Sequence, residues 1–98
     1  MTNHDITLGI QIIPKSKAPL DTYHLVDQAI AVIQNSGVKY QITPFETVME
    51  GSYDRLMDIS NKAQQAVLDA GADECLVYFR IHYRKDAAVT FEEKRLDR

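Results

Sequence analysis

The chain has 98 residues, a length that supports one hydrophobic core and does not support two independent domains. Hydrophobic residues make up 45% of the chain and charged residues 26%, which is the composition of an ordinary globular protein. The formal net charge of −3 argues against a nucleic-acid partner, because binding to phosphates requires a basic surface. We therefore expect a single domain over residues 1–98.

Cysteine content and hydropathy indicate the compartment. The chain has one cysteine, Cys75, which excludes an internal disulfide and favours a reducing environment. Cys75 lies in an apolar run, so a small buried side chain is favoured over a nucleophile. The N-terminus lacks an apolar stretch of signal-peptide length, and no apolar run approaches the roughly 18 residues of a membrane-spanning helix. The prediction is a cytoplasmic protein without a membrane partner.

The first half of the chain predicts a strand followed by a helix. Apolar residues alternate over residues 6–13, a period of two that indicates a half-buried strand, and we expect Pro14 to end it. Asp21 is a residue type that caps helix starts. Apolar side chains then recur at helical spacing over residues 22–35, and Ser36-Gly37 is typical of a helix end.

The second half predicts a hairpin, a second helix and a last strand. Residues 39–50 favour two short strands with an irregular tip at Pro44-Phe45. Residues 53–70 carry one apolar stripe, as expected for a helix packed on one side. Alternation returns over residues 74–84, which indicates a strand. The terminal Thr90-Phe-Glu-Glu93 has the capping-box pattern and predicts a short helix.

The element order βαββαβ predicts the ferredoxin-like α+β sandwich. Each helix has one apolar stripe, so both helices can cover one face of a four-stranded antiparallel sheet. The other face is expected to stay open, and its side chains are too apolar for plain solvent surface, which favours contact with another subunit. The residues expected on this open face are Thr7, Gly9, Gln11, Ile13, Leu76, Tyr78, Arg80 and His82.

The polar residues indicate a binding site rather than an enzyme. His4, His24 and His82 are scattered without metal-ligand spacing, and with one cysteine they do not predict a zinc site. No serine has an evident activating base, and no glycine-rich phosphate loop is present. We therefore expect no catalysis, no cofactor and no metal.

The stretch from Thr47 to Asp54 combines a hydroxyl, a carboxylate and a glycine where a strand meets a helix. Unpaired N–H groups at a helix N-terminus stabilise a nearby carboxylate, and Gly51 would permit a sharp change of backbone direction. Glu50 is therefore either a ligand-binding residue or a complement to the helix end. On a regular strand Thr47 and Glu50 face opposite ways, so a shared site requires a bulge or a Glu50 that has left the strand.

Five short segments follow one another in a characteristic order. They are Ile13-Pro14, Ser36-Gly-Val-Lys-Tyr40, Thr47-Val-Met-Glu-Gly51, Arg80-Ile-His-Tyr-Arg84 and Glu92-Glu-Lys94. Their order and spacing cover nearly the whole chain and resemble the small thiamine-binding protein family of ferredoxin-like fold. The resemblance implies homotetramers in which sheets pair and pack, binding of thiamine or its hydroxymethylpyrimidine part, and no catalysis.

The side chains near these segments suit such a ligand. An aminopyrimidine has an exocyclic N–H donor and ring nitrogens, and it requires a carboxylate acceptor, a hydroxyl and an aromatic or apolar wall. The thiazolium cation also favours an acidic and aromatic surrounding. The predicted ligand-binding residues are Thr47, Glu50, Tyr78, Arg80, His82 and Gln11.

The predicted function is non-catalytic binding of thiamine or its hydroxymethylpyrimidine moiety, for buffering, transport or sensing of the vitamin. The binding species is expected to be a homo-oligomer, a tetramer or at least a dimer. The alternative is a regulatory module of other specificity on the same fold, such as an amino-acid sensor. An RNA-binding domain shares the element order but places stacking aromatics on its central strands, where this chain has Thr7, Gly9 and Gln11.

Overall fold

A computed structural model describes residues 4–94. Four strands form one antiparallel sheet in the order β2-β3-β1-β4, and two helices pack on one of its faces. This confirms the predicted ferredoxin-like α+β fold. The elements are β1 (Asp5–Lys15), α1 (Thr22–Asn35), β2 (Lys39–Ile42), β3 (Thr47–Ser52), α2 (Tyr53–Asp69), β4 (Glu74–His82) and a 3₁₀ helix, η1 (Glu92–Lys94).

A capping residue marks the start of α1, and a glycine follows the end of each helix. The Asp21 carboxylate accepts a hydrogen bond from the Tyr23 N–H at 3.0 Å, which satisfies one of the free donors at the start of α1. Gly37 and Gly71 follow α1 and α2 with φ angles of 88° and 124°, a conformation that favours glycine. The predicted bounds of both helices agree with the structure to within one residue.

The expectation that Pro14 ends β1 is wrong. The strand continues to Lys15, and Pro14 lies opposite Cys75 of β4. The last residue of β1 that pairs with β3 is Ile10, so beyond it β1 has a strand partner on its β4 side only, within the described residues. A strand edge without a partner tolerates a proline, which has no N–H to donate. Residues 11–15 therefore extend past β3 and leave a notch at this end of the sheet.

The hydrophobic core lies between the helices and one face of the sheet. Ile6, Leu8 and Met49 are fully buried on that face, and Leu56 of α2 packs against them. A second buried cluster joins α1 to α2 through residues that include Ala29 and Ala63, whose small side chains let the helices lie close together. The main cluster consists of Ile6, Leu8, Ile10, Ile33, Val38, Met49, Leu56 and Ile59.

Gly51 serves close packing and not a reversal of the backbone. It lies within β3, and among the described glycines only Gly37 and Gly71 have positive φ angles. A Cβ atom at Gly51 would lie 3.1 Å from Cδ2 of Leu56. The absence of a side chain therefore lets the first turn of α2 approach the strand that precedes it.

After β4 the chain folds back over part of the open face. Val89 is fully buried; its N–H donates to the Asp5 carbonyl at 2.9 Å, and its carbonyl accepts from Thr7 Oγ1 at 3.3 Å. The predicted capping box forms, with the Thr90 N–H donating to Glu93 Oε1 at 3.1 Å and the Glu93 N–H donating to Thr90 Oγ1 at 3.4 Å. Residues 88–94, called here the C-terminal segment, thus cover one end of the face that was predicted to be open.

Candidate functional site

The sheet separates the predicted site residues Thr47 and Glu50. Thr47 lies opposite Ile10 and Glu50 lies opposite Thr7, in a register without a bulge. Because side chains alternate along a strand, Thr47 is on the helix-covered face and Glu50 is on the open face. A small ligand on either face of one copy of the chain therefore contacts only one of the two side chains.

Glu50 belongs to a polar network that holds the C-terminal segment. Its Oε1 accepts a hydrogen bond from the Phe91 N–H at 2.7 Å, and its Oε2 lies 4.0 Å from Lys39 Nζ. Lys39 Nζ also lies 3.0 Å from Glu92 Oε1 and 5.3 Å from the centre of the Phe91 ring. The Glu50 side chain is only 14% exposed. Its partners thus come from β2 and the C-terminal segment, and not from the N-terminus of α2.

His82 contacts the far end of the C-terminal segment, beyond the contacts that Glu50 and Lys39 make with it. Lys94 Nζ is 2.5 Å from His82 Nδ1, and Arg84 Nη2 is 2.7 Å from Glu93 Oε2. Hydrogen bonds from the Arg84 guanidinium, and then from the Thr90 N–H, lower the pKa of Glu93 from 4.5 to about 2. One ion pair and one hydrogen bond therefore fasten the segment to the end of β4 and the residues just after it.

Acidification is expected to loosen the C-terminal segment. The folded-state pKa of Glu93, about 2, lies below its ordinary value of 4.5, so the stabilisation is fully present above pH 4.5 and is lost as the pH falls toward 2. The backbone amide signals of Thr90 and Glu93 in NMR spectra should shift over that interval. A Glu93→Gln variant should remove this titration, and its persistence in that variant would assign it to another group.

Gln11, Tyr78 and Arg80 lie together on the part of the open face that the C-terminal segment leaves uncovered. Gln11 is opposite Tyr78, and Arg80 is opposite Gly9 in the same strand pair. Tyr78 is 55% exposed, and its neighbours Ile13 and Leu76 on this face are also exposed. This surface, called here the open patch, is flat and accessible, consisting of Gln11, Ile13, Leu76, Tyr78 and Arg80.

A cavity of about 220 Å³ lies at the notch where β1 extends past β3. Its walls are residues 10–12 of β1, one side of α1 from Thr22 to Ile33, and residues 42–47, which connect β2 to the start of β3. Two predicted site residues, Gln11 and Thr47, line it. We call this half-open space the notch cavity, and it brings Gln11 and Thr47 together with α1.

Glu46 lies between the notch cavity and the open patch. The turn that presents it is closed by Thr43, whose Oγ1 donates to the Glu46 carbonyl at 2.6 Å and accepts from the Glu46 N–H at 3.1 Å. A Cβ atom at Gly9 would lie 2.7 Å from Glu46 Oε2, so the carboxylate occupies the space above this glycine. Arg80 Nη1 is 3.8 Å from Glu46 Oε1, although the Arg80 side chain is largely exposed.

The sequence analysis assigned no binding role to Tyr23, Phe45 and Glu46, although all three line the notch cavity. Tyr23 lies in the first turn of α1, and Phe45 lies in the turn before β3. The sequence did contain one sign of this site, which is Phe45. A large aromatic side chain in a predicted irregular loop tip has no core to enter, so it is available for contact with a ligand.

Neither a metal-binding cluster nor a cysteine with a lowered pKa is found among the described residues. Residues 4–94 contain no group of three or more His, Cys, Asp or Glu side chains that could hold a metal ion. Cys75 is half-buried, and burial raises the pKa of its thiol, which disfavours the reactive thiolate. No helix in this part of the chain is long and apolar enough to cross a membrane.

The fold defines a small ferredoxin-like α+β domain, and comparison with known proteins identifies its family. Residues 8–97 match the family model described as thiamine-binding protein. The chain therefore belongs to this family, as its motifs predicted. The family is named for binding and not for a catalysed reaction.

Individual relatives agree with this assignment. A UPF0045 protein of Clostridium perfringens is 37% identical over 87 residues, which cover 89% of this chain and 90% of the relative. A domain of unknown function from Bacillus cereus has a similar structure, with a TM-score of 0.90, 42% identity, and coverage of 94% of this chain and 88% of that one. A Thermotoga maritima protein, assigned provisionally to thiamine biosynthesis or salvage, has a TM-score of 0.81 and 27% identity, with coverage of 92% and 94%.

Proposed function

We propose that this protein binds thiamine or its hydroxymethylpyrimidine moiety without chemical change, as a homo-oligomer in the cytoplasm. The role would be buffering, transport or sensing of the vitamin. The observation that carries the proposal is the family match, which extends over residues 8–97 and so includes most of β1 and all the other elements of the sheet and the notch cavity. The provisional assignment of the Thermotoga maritima relative supports the same ligand class.

The side chains around the notch support binding of a ring rather than of a charged polymer. The cavity combines apolar residues of α1 and β1 with Thr47, and Glu46 lies at its edge with its carboxylate above Gly9 on the open face. Binding sites for small molecules have this composition: a mostly apolar wall with a few polar groups that fix orientation.

The open patch supports self-association. β4 is an edge strand of the sheet, and large apolar side chains on both of its faces are exposed, among them Leu76, Tyr78 and Phe79. Edge strands with accessible backbone groups and apolar side chains associate readily unless they are protected. We therefore propose that a second copy of the chain covers this surface.

Ligand-dependent thermal stabilisation tests the proposed function. A ligand that binds only the folded state stabilises it by about 2.7 kcal/mol when its concentration is 100 times Kd. Thiamine or hydroxymethylpyrimidine should raise the melting temperature in a concentration-dependent way, and a panel of amino acids should not. Stabilisation by an amino acid without any effect of thiamine compounds would instead support the regulatory module.

A further inference from the structure

We infer that the C-terminal segment is a hinged cover that opens while the rest of the domain stays folded. Its opening uncovers a row of polar side chains that crosses all four strands of the sheet. The inference goes beyond the proposed function, because it concerns the open face and requires neither the notch cavity nor a thiamine-like ligand. We call this set of side chains the polar row, and it consists of Lys39, Glu50, Thr7 and His82.

The polar row follows from the register of the sheet. Thr7 of β1 lies opposite Glu50 of β3 on one side and opposite His82 of β4 on the other. Lys39 of β2 lies opposite Glu50. Residues that pair directly across strands project their side chains to the same face, which here is the open one. An ammonium, a carboxylate, a hydroxyl and an imidazole group therefore lie side by side, one from each strand.

The backbone of the C-terminal segment covers the two central members of the polar row. The Val89 carbonyl accepts a hydrogen bond from Thr7 Oγ1 at 3.3 Å, and the Phe91 N–H donates to Glu50 Oε1 at 2.7 Å. In this closed position Thr7 is buried and the Glu50 side chain is nearly so. A hydroxyl and a carboxylate that could bind a polar ligand are thus occupied by peptide groups of the protein's own chain.

The end of the C-terminal segment contacts the two outer members of the row. Lys39 Nζ lies 3.0 Å from Glu92 Oε1, and Lys94 Nζ lies 2.5 Å from His82 Nδ1. All four of these residues are exposed. Exposed polar pairs of this kind contribute little stability, because water screens them and the long side chains lose freedom. These contacts therefore fix where the closed segment lies without holding it firmly.

One side chain holds the C-terminal segment to the sheet by apolar burial. Val89 is fully buried, whereas the other residues of the segment are half-buried or exposed. Ordering the backbone costs conformational entropy at every residue, and a single buried side chain offsets only part of it. Regions with few buried apolar contacts and exposed hydrogen bonds open more readily than the core of a domain. The segment is therefore expected to open by itself.

The hinge of this cover lies between the end of β4 and Ala88. Residues 85–87 belong to no helix or strand and are exposed, so their φ and ψ angles can change without loss of packing. Arg84 precedes them and fastens the closed segment at two points. Its Nη1 donates to the Ala88 carbonyl at 2.8 Å, and its Nη2 lies 2.7 Å from Glu93 Oε2. Rotation about residues 85–87 breaks these contacts and leaves the strands paired.

Native-state hydrogen exchange of the full chain tests whether the segment opens independently. We expect the Val89 and Phe91 amides to exchange together, at least about 100-fold faster than the Leu8 and Ile10 amides of the central strand β1. Low denaturant concentrations should leave exchange in the segment unchanged, because its opening exposes little surface. The same concentrations should speed exchange in β1, which requires unfolding of the domain.

A matched pair of valine substitutions separates the segment from the core. Val67 of α2 is fully buried, as Val89 is. Val67→Ala should speed exchange in β1 by about tenfold or more and leave the Phe91 amide unchanged, because Val67 stays buried when the segment opens. Val89→Ala should speed exchange of the Phe91 amide by about tenfold or more. If Val89→Ala fails to fold, Glu50→Gln provides the second variant and should speed the same amide, since a hydrogen bond to a charged acceptor is lost.

A thiol within the polar row tests whether opening uncovers it. Thr7→Cys, in a chain that also carries Cys75→Ser, provides a single thiol beneath Val89. Addition of Val89→Ala should raise its rate of alkylation by iodoacetamide by the same factor as it raises exchange of the Phe91 amide in that background. The control is Cys75 in a chain that retains it, whose alkylation rate should not respond to Val89→Ala.

Two results would overturn the inference. The first is exchange of the Val89 and Phe91 amides only together with β1, with the same response to denaturant and to Val67→Ala. The second is a thiol in the polar row whose alkylation rate does not rise when Val89→Ala speeds exchange of the Phe91 amide. Neither measurement uses a ligand, so either result leaves the proposed function standing. Absence of thiamine binding would overturn that function and leave the hinged cover in place.

Discussion

Replacement of Leu56 by alanine is expected to lower the free energy of unfolding by about 2–5 kcal/mol. Leu56 is fully buried in the main core cluster, where α2 meets the sheet. Removing its side chain loses apolar burial and leaves a cavity that neighbouring residues fill only in part. Since small domains have total stabilities of about 5–15 kcal/mol, the loss is a large share of the whole. Denaturant unfolding with an unchanged m-value measures it.

The double variant Gly51→Ala, Leu56→Ala tests whether the Leu56 side chain packs directly against Gly51. Gly51→Ala would place a Cβ atom 3.1 Å from Leu56 Cδ2, and such overpacking costs about 1–3 kcal/mol. In the Leu56→Ala background that neighbour is absent, so the same substitution should cost much less. Strictly additive losses in the double variant would contradict the close approach of α2 to β3.

The second large effect concerns assembly. Sedimentation of the wild-type chain at micromolar concentration should show a tetramer or at least a dimer, because covering apolar surface contributes roughly 25 cal/mol per Å². Tyr78→Glu places a charge in the middle of the open patch and should shift the equilibrium to monomers, since an unpaired charge is costly to bury. Asn61→Glu adds the same charge on an exposed position of α2 and is the control.

Two results would contradict the proposed assembly. A clean monomer for the wild-type chain would remove the oligomer from the account altogether. If Tyr78→Glu and Asn61→Glu both assemble like the wild type, the open patch is not the interface, and another surface must form it.

The sequence predicted the elements well because their signals are local. Asp21 caps α1 through a hydrogen bond to a residue two positions away, and Thr90 and Glu93 cap each other across three positions. The apolar stripe that predicted α2 and the alternation of apolar residues that predicted β4 likewise depend only on residues a few positions apart. Pro14 was the exception, because whether a strand tolerates proline depends on whether the neighbouring strand reaches that position.

The cover over the open face was not predictable in the same way. It depends on contacts between distant parts of the chain: Phe91 with Glu50, 41 residues apart, and Thr7 with Val89, 82 residues apart. Hydrophobic periodicity does not encode such pairs. The notch cavity is similar, since its walls come from β1, α1 and the turn before β3, and only the packed structure brings Tyr23 and Phe45 together.

The assignment of the six site residues remains a prediction. The structure places these residues in three different parts of the molecule. Thr47 lines the notch cavity, and Glu50 and His82 contact the C-terminal segment. Gln11, Tyr78 and Arg80 lie on the open patch, and Gln11 also borders the cavity. The sequence placed Thr47 and Glu50 on opposite faces of a regular strand, and the register has that form.

Calorimetric titration of the wild-type protein with thiamine and with hydroxymethylpyrimidine tests the central claim most directly. The account predicts saturable binding of at least one of the two, with one site per chain and no chemical change in the recovered ligand. Absence of binding heat for both thiamine and hydroxymethylpyrimidine, over a range of temperatures that excludes a zero enthalpy, would contradict the proposed function.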